Sequence, residues 1–122
     1  MSGGNTKLLG RWGESLVAED LRRKGQRLLA AGYQCRFGEI DLITADEQYI
    51  IFTEVKLRRD DRFAPGRAFV DARKQARLRT TAELYLAQFP TGLQPRFDVA
   101  EVYAPRGMET EHPRILYFEN AF

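Results

Sequence analysis

The sequence predicts a single α/β domain in which a mixed central sheet is flanked by two main helices, in the order α-β-β-β-α-β-β. Two segments, residues 5–24 and 70–89, space their apolar residues as amphipathic helices do. Between and after them, runs rich in β-branched and aromatic residues alternate with the period of two that is typical of strands. At 122 residues the chain can bury one core and has no room for a second, so residues 1–122 are expected to form one domain.

Composition restricts the class of protein. Hydrophobic residues make up 43% of the chain and charged residues 30%, which is typical of a globular protein. Cys35 is the only cysteine, so no intramolecular disulfide can form. No segment approaches the roughly 18 consecutive apolar residues of a membrane span, and the first residues lack the apolar core of a signal peptide. We therefore expect a cytoplasmic protein with no membrane partner.

The distribution of charge is more informative than the formal net charge of +2. Between Lys56 and Arg79 the chain carries nine basic residues and three acidic ones, which leaves the remainder acidic overall. A local basic surface beside acidic residues favours binding to the phosphate backbone of a nucleic acid. The alternative is a solvated, charged helix without a ligand.

Residues 5–24 predict the first helix, with Thr6 as its cap and Gly25 as its C-terminal stop. One apolar side contains Leu8, Leu9, Trp12 and Leu16, and the other contains Gly10, Val17, Ala18 and Leu21. Glu14 falls within the second side, where a buried carboxylate needs a positive partner, such as Arg11, or a metal ion. The first side is a candidate contact surface for a second subunit, with ordinary burial as the alternative.

Residues 38–56, GEIDLITADEQYIIFTEVK, predict a β-hairpin whose strands meet at the polar turn 46–48. A hairpin centred in that turn pairs positions whose numbers sum to about 95, so Asp41 is expected beside Glu54. Because side chains alternate along a strand, Lys56 points to the same side of the sheet as Glu54.

These side chains fit phosphodiester chemistry. Adjacent carboxylates in a sheet repel each other, and Mg²⁺ removes the repulsion because it binds one or two carboxylates together with substrate phosphate. A lysine one strand step beyond can hold an attacking water and offset charge on the phosphate. Glu39 shares a face with Asp41 and is a secondary candidate, with a solvent-facing position as the alternative.

A loop at 58–67 leaves the strand that carries Glu54 and should border the same face. Its basic residues are Arg58, Arg59 and Arg62. We expect them to contact phosphate, and disorder in the absence of DNA is the alternative.

Residues 70–89 predict the second helix, begun at Asp71 and ended before Pro90. Its expected buried stripe consists of Ala76, Thr80, Leu84 and Ala87. Its first turns display the basic residues Arg73, Lys74, Arg77 and Arg79. Of these, Lys74, Arg73 and Arg77 are the candidate phosphate-binding residues.

The remaining strands are expected at residues 26–34, 96–103 and 114–118. In the first of them, Leu28 and Leu29 are predicted core residues. Asp98 stands among apolar residues and is expected to pair with Arg96 or another basic residue.

An Asp on one strand followed by Glu-x-Lys on the next, here Asp41 and Glu54-Val55-Lys56, resembles the signature of the PD-(D/E)XK, or restriction-endonuclease-like, nuclease superfamily. The wider chain resembles the small bacterial YraN-like family, which is similar to archaeal Holliday-junction resolvases. The matching segments are Gly13-Glu14, Phe37 to Ile43, Glu54 to Lys56, Arg96 to Val99 and Asn120 to Phe122.

The resemblance assigns roles to particular residues. It implies that Mg²⁺ or Mn²⁺ is bound by Asp41, Glu54, Glu14 and the carbonyl of Val55. It also implies that Lys56 positions and activates the water. Lys74 resembles a recurrent family lysine near the catalytic face.

The resemblance further implies a restriction-endonuclease-like core that hydrolyses DNA phosphodiester bonds. Likeness to junction resolvases makes branched DNA the expected substrate and a homodimer the expected assembly, because a junction requires two symmetric cuts. Two other classes stay open. A non-catalytic nucleic-acid-binding or scaffold protein on a nuclease fold would bind without cutting, and a structural protein in which Lys56 only neutralises the acids would bind no DNA. The complete Asp and Glu-x-Lys set favours the enzyme.

Overall fold

The structure is a computed structural model that describes residues 2–59 and 70–122. Its main elements are the helix α1 (Ser2–Arg23), the strands β1 (Arg27–Cys35), β2 (Gly38–Ala45) and β3 (Tyr49–Arg58), the helix α2 (Ala72–Gln88), and the strands β4 (Gln94–Tyr103) and β5 (Arg114–Phe118). A 3₁₀ turn, Gly107–Glu109, lies between β4 and β5. This order confirms the predicted α-β-β-β-α-β-β arrangement.

The strands form one mixed sheet in the order β1-β2-β3-β4-β5. β1, β2 and β3 are mutually antiparallel, as are β4 and β5, whereas β3 and β4 run parallel. A parallel pair needs a crossover connection, and α2 lies within it, which places α2 against one face of the sheet. No helix in the described part of the chain is long and apolar enough to cross a membrane.

The β2–β3 hairpin adopts the predicted register. Leu42 pairs with Thr53, and each pair towards the turn keeps the sum of 95. Asp46 closes the turn, because its Oδ1 accepts hydrogen bonds from the N–H groups of Gln48 and Tyr49 at 2.8 and 2.7 Å.

Separate hydrophobic clusters cover the two faces of the sheet. The cluster under α2 contains Ile40, Ile43, Ile50, Phe52 and Val99 of the strands and Leu78, Ala82 and Tyr85 of the helix. The cluster under α1 contains Leu42, Ala100 and Val102 of the strands and Val17, Ala18 and Leu21 of the helix. Along β3, Phe52 faces α2 and Val55 faces α1, so alternation directs Glu54 and Lys56 to the α2 face.

Helix α1 ends as predicted and begins earlier than predicted. Gly25 has a φ of 98°, in the left-handed region, and the Gln26 N–H donates to the Leu21 carbonyl at 3.0 Å. At the other end the helix continues back to Ser2, so Thr6 lies inside it and does not cap it. A hydroxyl residue suits both a cap and an exposed interior position, so the sequence pattern alone did not determine the first turn.

Strand β1 lies at the edge of the sheet and does not supply the core residues predicted for it. Leu28 and Leu29 are 37% and 42% exposed. The register against β2 shifts between Leu28 and Ala30, which makes Leu29 the extra residue of a bulge. Ala30 and Tyr33 pack against the cluster under α2 instead. The prediction was wrong because it treated an edge strand as if both of its faces were covered.

Helix α2 begins where predicted and buries a different stripe. Asp71 caps it, because its Oδ1 accepts a hydrogen bond of 2.8 Å from the Lys74 N–H. The buried residues are Leu78, Thr81, Ala82 and Tyr85, and not Ala76, Thr80, Leu84 and Ala87. Both sets have helical spacing. The Tyr85 ring decides between them, because it packs edge-on against Tyr33 and Phe52 at centroid distances of 5.1 and 6.2 Å.

Candidate metal and nucleic-acid site

Four carboxylates form an acid cluster where β2 and β3 separate: Glu14, Glu39, Asp41 and Glu54. Just beyond the last main-chain pair of the hairpin, Leu42 with Thr53, the Asp41 Oδ2 accepts a hydrogen bond of 2.8 Å from the Val55 N–H. The Asp41 side chain therefore occupies a main-chain donor of β3. This contact holds it beside Glu54, where the predicted register placed it.

Glu14 reaches the acid cluster because α1 passes close to β3 at Gly13. A Cβ on Gly13 would collide with the side chain of Leu57 and would lie 3.9 Å from Val55. The missing side chain thus allows the helix to approach the strand closely. At that separation the Glu14 carboxyl lies within hydrogen-bonding reach of the Asp41 carboxyl.

Replacing Gly13 by alanine is expected to give no stabilisation, although alanine favours a helix over glycine by about 1 kcal/mol. The added Cβ must displace Leu57 and shift the turn that carries Glu14. Gly10→Ala is the matched control on the same helix, because a Cβ there has no atom within 4 Å. We expect the control to stabilise the protein by about 0.5–1 kcal/mol. Urea unfolding measures both variants, and equal stabilisation would contradict the close approach at Gly13.

The carboxylates of the acid cluster disfavour each other's ionised form. Burial, followed by repulsion from Glu54, raises the pKa of Asp41 to about 7, although the hydrogen bond from Val55 opposes the rise. Burial, followed by repulsion from Glu39, also raises the pKa of Glu14. The acid cluster therefore resists full ionisation, and a bound divalent cation would favour the ionised carboxylates.

Lys74 is a cation that the fold places at this cluster. Its Nζ lies 2.6 Å from the Oε2 of buried Glu54. The Asp71 cap orders the turn of α2 from which Lys74 projects. The Lys74 side chain is 40% exposed, so it can move away from Glu54 without opening a cavity in the core.

Lys56 lies on the same face of β3 as Glu54 and is half-buried. Among the residues that the structure describes, it makes no hydrogen bond or ion pair. Its ammonium group is therefore available to a ligand that enters beside the acid cluster.

Glu101 is a neighbour of the site that the sequence analysis missed. It lies opposite Lys56 on β4 and is fully buried. Two nitrogens of Arg58 donate to its Oε2 at 3.2 Å, and the Tyr103 hydroxyl donates to its Oε1 at 2.6 Å. Arg58, a predicted phosphate contact, is therefore engaged in an internal ion pair. Alternation in β4 was the available signal, because Glu101 follows Val99 on the α2 face at a spacing of two.

The other predicted phosphate contacts lie at the surface or outside the described residues. Arg73 and Arg77 are exposed on α2, and Arg59 is exposed just after β3. Arg62 belongs to the segment 60–69, which lies outside the described residues.

Two further predictions concern side chains away from the acid cluster. Asp98 accepts hydrogen bonds of 2.9 and 2.8 Å from Arg96, which confirms the expected pairing. Of the candidate subunit surface, Trp12 and Leu16 pack against the cluster under α1, whereas Leu8 is exposed. Trp12 and Leu16 of that surface are therefore already partly buried within this chain.

The acid cluster fits a hard divalent cation by the chemistry of its donors, all of which are oxygens. As they stand, no three His, Cys, Asp or Glu side chains within 2–59 and 70–122 are arranged to hold an ion. Mg²⁺ commonly binds through one or two carboxylates, and water and phosphate complete its shell. The adjacent pair of Asp41 and Glu54 meets that requirement once Lys74 leaves Glu54.

Known proteins similar to this chain match it over almost its whole length. The model described as "Uncharacterised protein family UPF0102" matches residues 13–102, a range that includes the acid cluster. A UPF0102 protein of Pelotomaculum thermopropionicum is 40% identical over 117 residues, which cover 95% of this chain and 96% of its own length. UPF0102 proteins of Nitrosomonas europaea and Pseudomonas aeruginosa are 38% and 37% identical. They cover 88% and 93% of this chain and 91% and 90% of their own lengths.

Proposed function

The chain belongs to the UPF0102 family, as its resemblance to YraN-like proteins predicted, and we propose that it is a metal-dependent endonuclease that hydrolyses DNA phosphodiester bonds. The acid cluster carries the proposal. The fold holds Asp41 beside Glu54 although the pKa of Asp41 rises to about 7 there. Repelling carboxylates lower the stability of a sheet, and they become useful when they bind a divalent cation and, through it, a phosphate.

In this proposal each side chain has one task. Asp41, Glu54 and the Val55 carbonyl hold Mg²⁺ or Mn²⁺, and Glu14 completes the site directly or through a water. The bound cation supplies Lewis-acid polarisation of the phosphate and lowers the pKa of water. Lys56 holds the attacking water in line and offsets charge that develops on the phosphate.

The finer parts of the proposal rest on likeness to junction resolvases and on composition. Branched DNA is the proposed substrate and a homodimer the proposed assembly, because a junction must be cut twice and symmetrically. The absence of disulfide-forming cysteine pairs supports a cytoplasmic location. The substrate, the assembly and the location are each tested separately from metal-dependent hydrolysis.

Lys74→Met is expected to tighten Mn²⁺ binding by about fivefold in the absence of DNA, because an ion pair with one partly exposed partner contributes about 1 kcal/mol. In wild type the cation must displace the Lys74 ammonium, which lies 2.6 Å from Glu54. Calorimetric titration of Mn²⁺ measures the change, and Arg73→Met, an exposed neighbour on α2, is the matched control. Equal affinity in wild type and Lys74→Met would show that the lysine and the metal do not compete.

The experiment that tests the function is cleavage of labelled four-way junction, flap, single-stranded and duplex DNA in Mg²⁺, Mn²⁺ or EDTA. Wild type is expected to cut only with metal, and Glu54→Ala is expected to cut at least about 100-fold more slowly. Glu83→Ala is the matched control, because Glu83 is an exposed carboxylate on α2 outside the acid cluster. RNA of the same shapes tests the choice of DNA.

The same panel identifies the other two classes of protein. Junction binding without cutting that survives Glu54→Ala would replace the enzyme with a binding module on the same fold. Failure to bind metal and nucleic acid alike would leave a structural protein in which lysines neutralise the acid cluster.

A further inference from the structure

A cleft of about 850 Å³ separates α1 from β1 and β2. Small residues on both walls keep it open: Gly10 and Ala18 on α1, and Ala31 and Gly32 on β1. The Cβ position of Gly10 has no atom within 4 Å, so it faces open space. The cleft lies on the side of α1, whereas three of the residues predicted to bind phosphate, Arg73, Lys74 and Arg77, lie on α2.

Basic side chains line this cleft, and two carboxylates of the acid cluster line it as well. The basic residues are Lys7, Arg11 and Arg22, all exposed on α1. At a rise of 1.5 Å per residue, the row from Lys7 to Arg22 is about 22 Å long. Glu14 and Glu39 of the acid cluster and Glu19, which pairs with Arg22 at 3.9 Å, line the same cleft. Because Glu14 lies between Arg11 and Arg22 along α1, the basic residues flank the acid cluster on both sides.

We propose that this cleft binds a single nucleic-acid strand, with Lys7 and Arg11 contacting phosphates on one side of the acid cluster and Arg22 contacting a phosphate on the other. The inference rests on the proposed function and names the route of its substrate. A row of cations about 22 Å long suits a polyanion better than one small anion, because phosphate charge repeats along a strand. A volume of 850 Å³ spread over about 22 Å is roughly 6 Å across, about half the width of the DNA major groove alone. The cleft therefore admits a single-stranded arm of a branched DNA and excludes a duplex arm.

Arg22 and Arg23 provide a matched pair for the test. Both lie 3.9 Å from Glu19, and their side chains are 60% and 66% exposed. Of the two, Arg22 lines the cleft and Arg23 does not. Weaker strand binding by Arg22→Ala than by Arg23→Ala would therefore show that the strand binds in the cleft and is not simply attracted by the charge of α1.

The experiment is fluorescence anisotropy of a labelled oligothymidylate in EDTA, over a range of salt concentrations. Arg11→Ala and Arg22→Ala are each expected to weaken binding about threefold to tenfold and to reduce the salt slope by about 0.7, the value for one phosphate contact in a single strand. Arg23→Ala is expected to bind like wild type. Gly10→Leu should narrow the cleft and abolish binding while raising the melting temperature, since leucine favours a helix over glycine.

Equal binding by Arg22→Ala and Arg23→Ala, with wild-type binding by Gly10→Leu, would overturn the route. Loss of binding confined to Arg73→Ala and Arg77→Ala would also overturn it and would place the strand across α2. The cleavage panel keeps the two proposals distinct. Metal-dependent cutting that the cleft variants leave intact retains the nuclease and rejects the cleft. Strand binding that depends on the cleft, without cutting by wild type, retains the cleft and rejects the nuclease.

Discussion

Asp41→Asn is expected to make the metal-free protein more stable at about pH 8, by roughly 2 kcal/mol, while reducing cleavage about 1,000-fold. Burial and Glu54 raise the pKa of Asp41 to about 7, so at pH 8 the wild type must ionise a carboxyl that the fold keeps protonated at lower pH. Asparagine stays neutral and retains an oxygen that can accept the hydrogen bond from Val55. The variant loses a metal ligand and gains stability.

The raised pKa of Asp41 determines how the free energy of unfolding changes with pH. The pKa of Asp41 is higher in the folded state than its ordinary value of 3.8. Its contribution to stability is therefore complete below about pH 4 and is lost as the pH rises through about 7. Urea unfolding in EDTA should show little difference between wild type and Asp41→Asn near pH 4 and the full difference near pH 8. Saturating Mg²⁺ or Mn²⁺ should remove it, because metal at about 100 times its Kd adds about 2.7 kcal/mol to wild type alone.

Asp46→Asn is the matched control and should behave in the opposite direction. The N–H groups of Tyr49 and Gln48 lower the pKa of Asp46 in the hairpin turn. Its carboxylate therefore stabilises the fold at neutral pH and loses that effect as the pH falls. If Asp41→Asn were also destabilising at pH 8 without metal, the acid cluster would be an ordinary part of the fold.

The acid pair could be predicted from the sequence because it depends on short-range rules. The turn at 46–48 determines the register, and the register places Asp41 beside Glu54. Alternation then determines the face of Lys56. Each step connects residues within one hairpin, so no knowledge of the remaining chain is needed.

The contacts around that pair could not be predicted from short-range rules, because they depend on distant elements, and only the resemblance to YraN-like proteins indicated that Lys74 lies near this face. Lys74 meets Glu54 only because the crossover connection carries the first turn of α2 over β3. Glu101 lies opposite Lys56 because β3 and β4 pair in parallel, and the register of the β2–β3 hairpin does not determine that pairing. The buried stripe of α2 depended on where the Tyr85 ring fits. Helical spacing was satisfied equally by two stripes.

Lys56→Met is expected to reduce the rate of cleavage by about 1,000-fold while leaving metal and DNA binding nearly unchanged. In the described part of the chain Lys56 makes no hydrogen bond or ion pair, so its replacement leaves no other group without a partner. Methionine has a similar length, and stability should stay within about 0.5 kcal/mol of wild type. Single-turnover cleavage at saturating Mn²⁺ measures the chemical step. Lys24→Met is the control, because Lys24 pairs with Asp20 at 3.2 Å away from the acid cluster.

Comparing the same substitution at two lysines separates their roles. Lys74 contacts Glu54 in the absence of metal, so Lys74→Met should change Mn²⁺ affinity more than turnover. Lys56 shares the face of Glu54 without contacting it, so Lys56→Met should change turnover more than Mn²⁺ affinity. The reverse pattern would exchange the assignments and make Lys74 the residue that holds the water. Equal losses in both variants would indicate that the two ammonium groups act together on one phosphate.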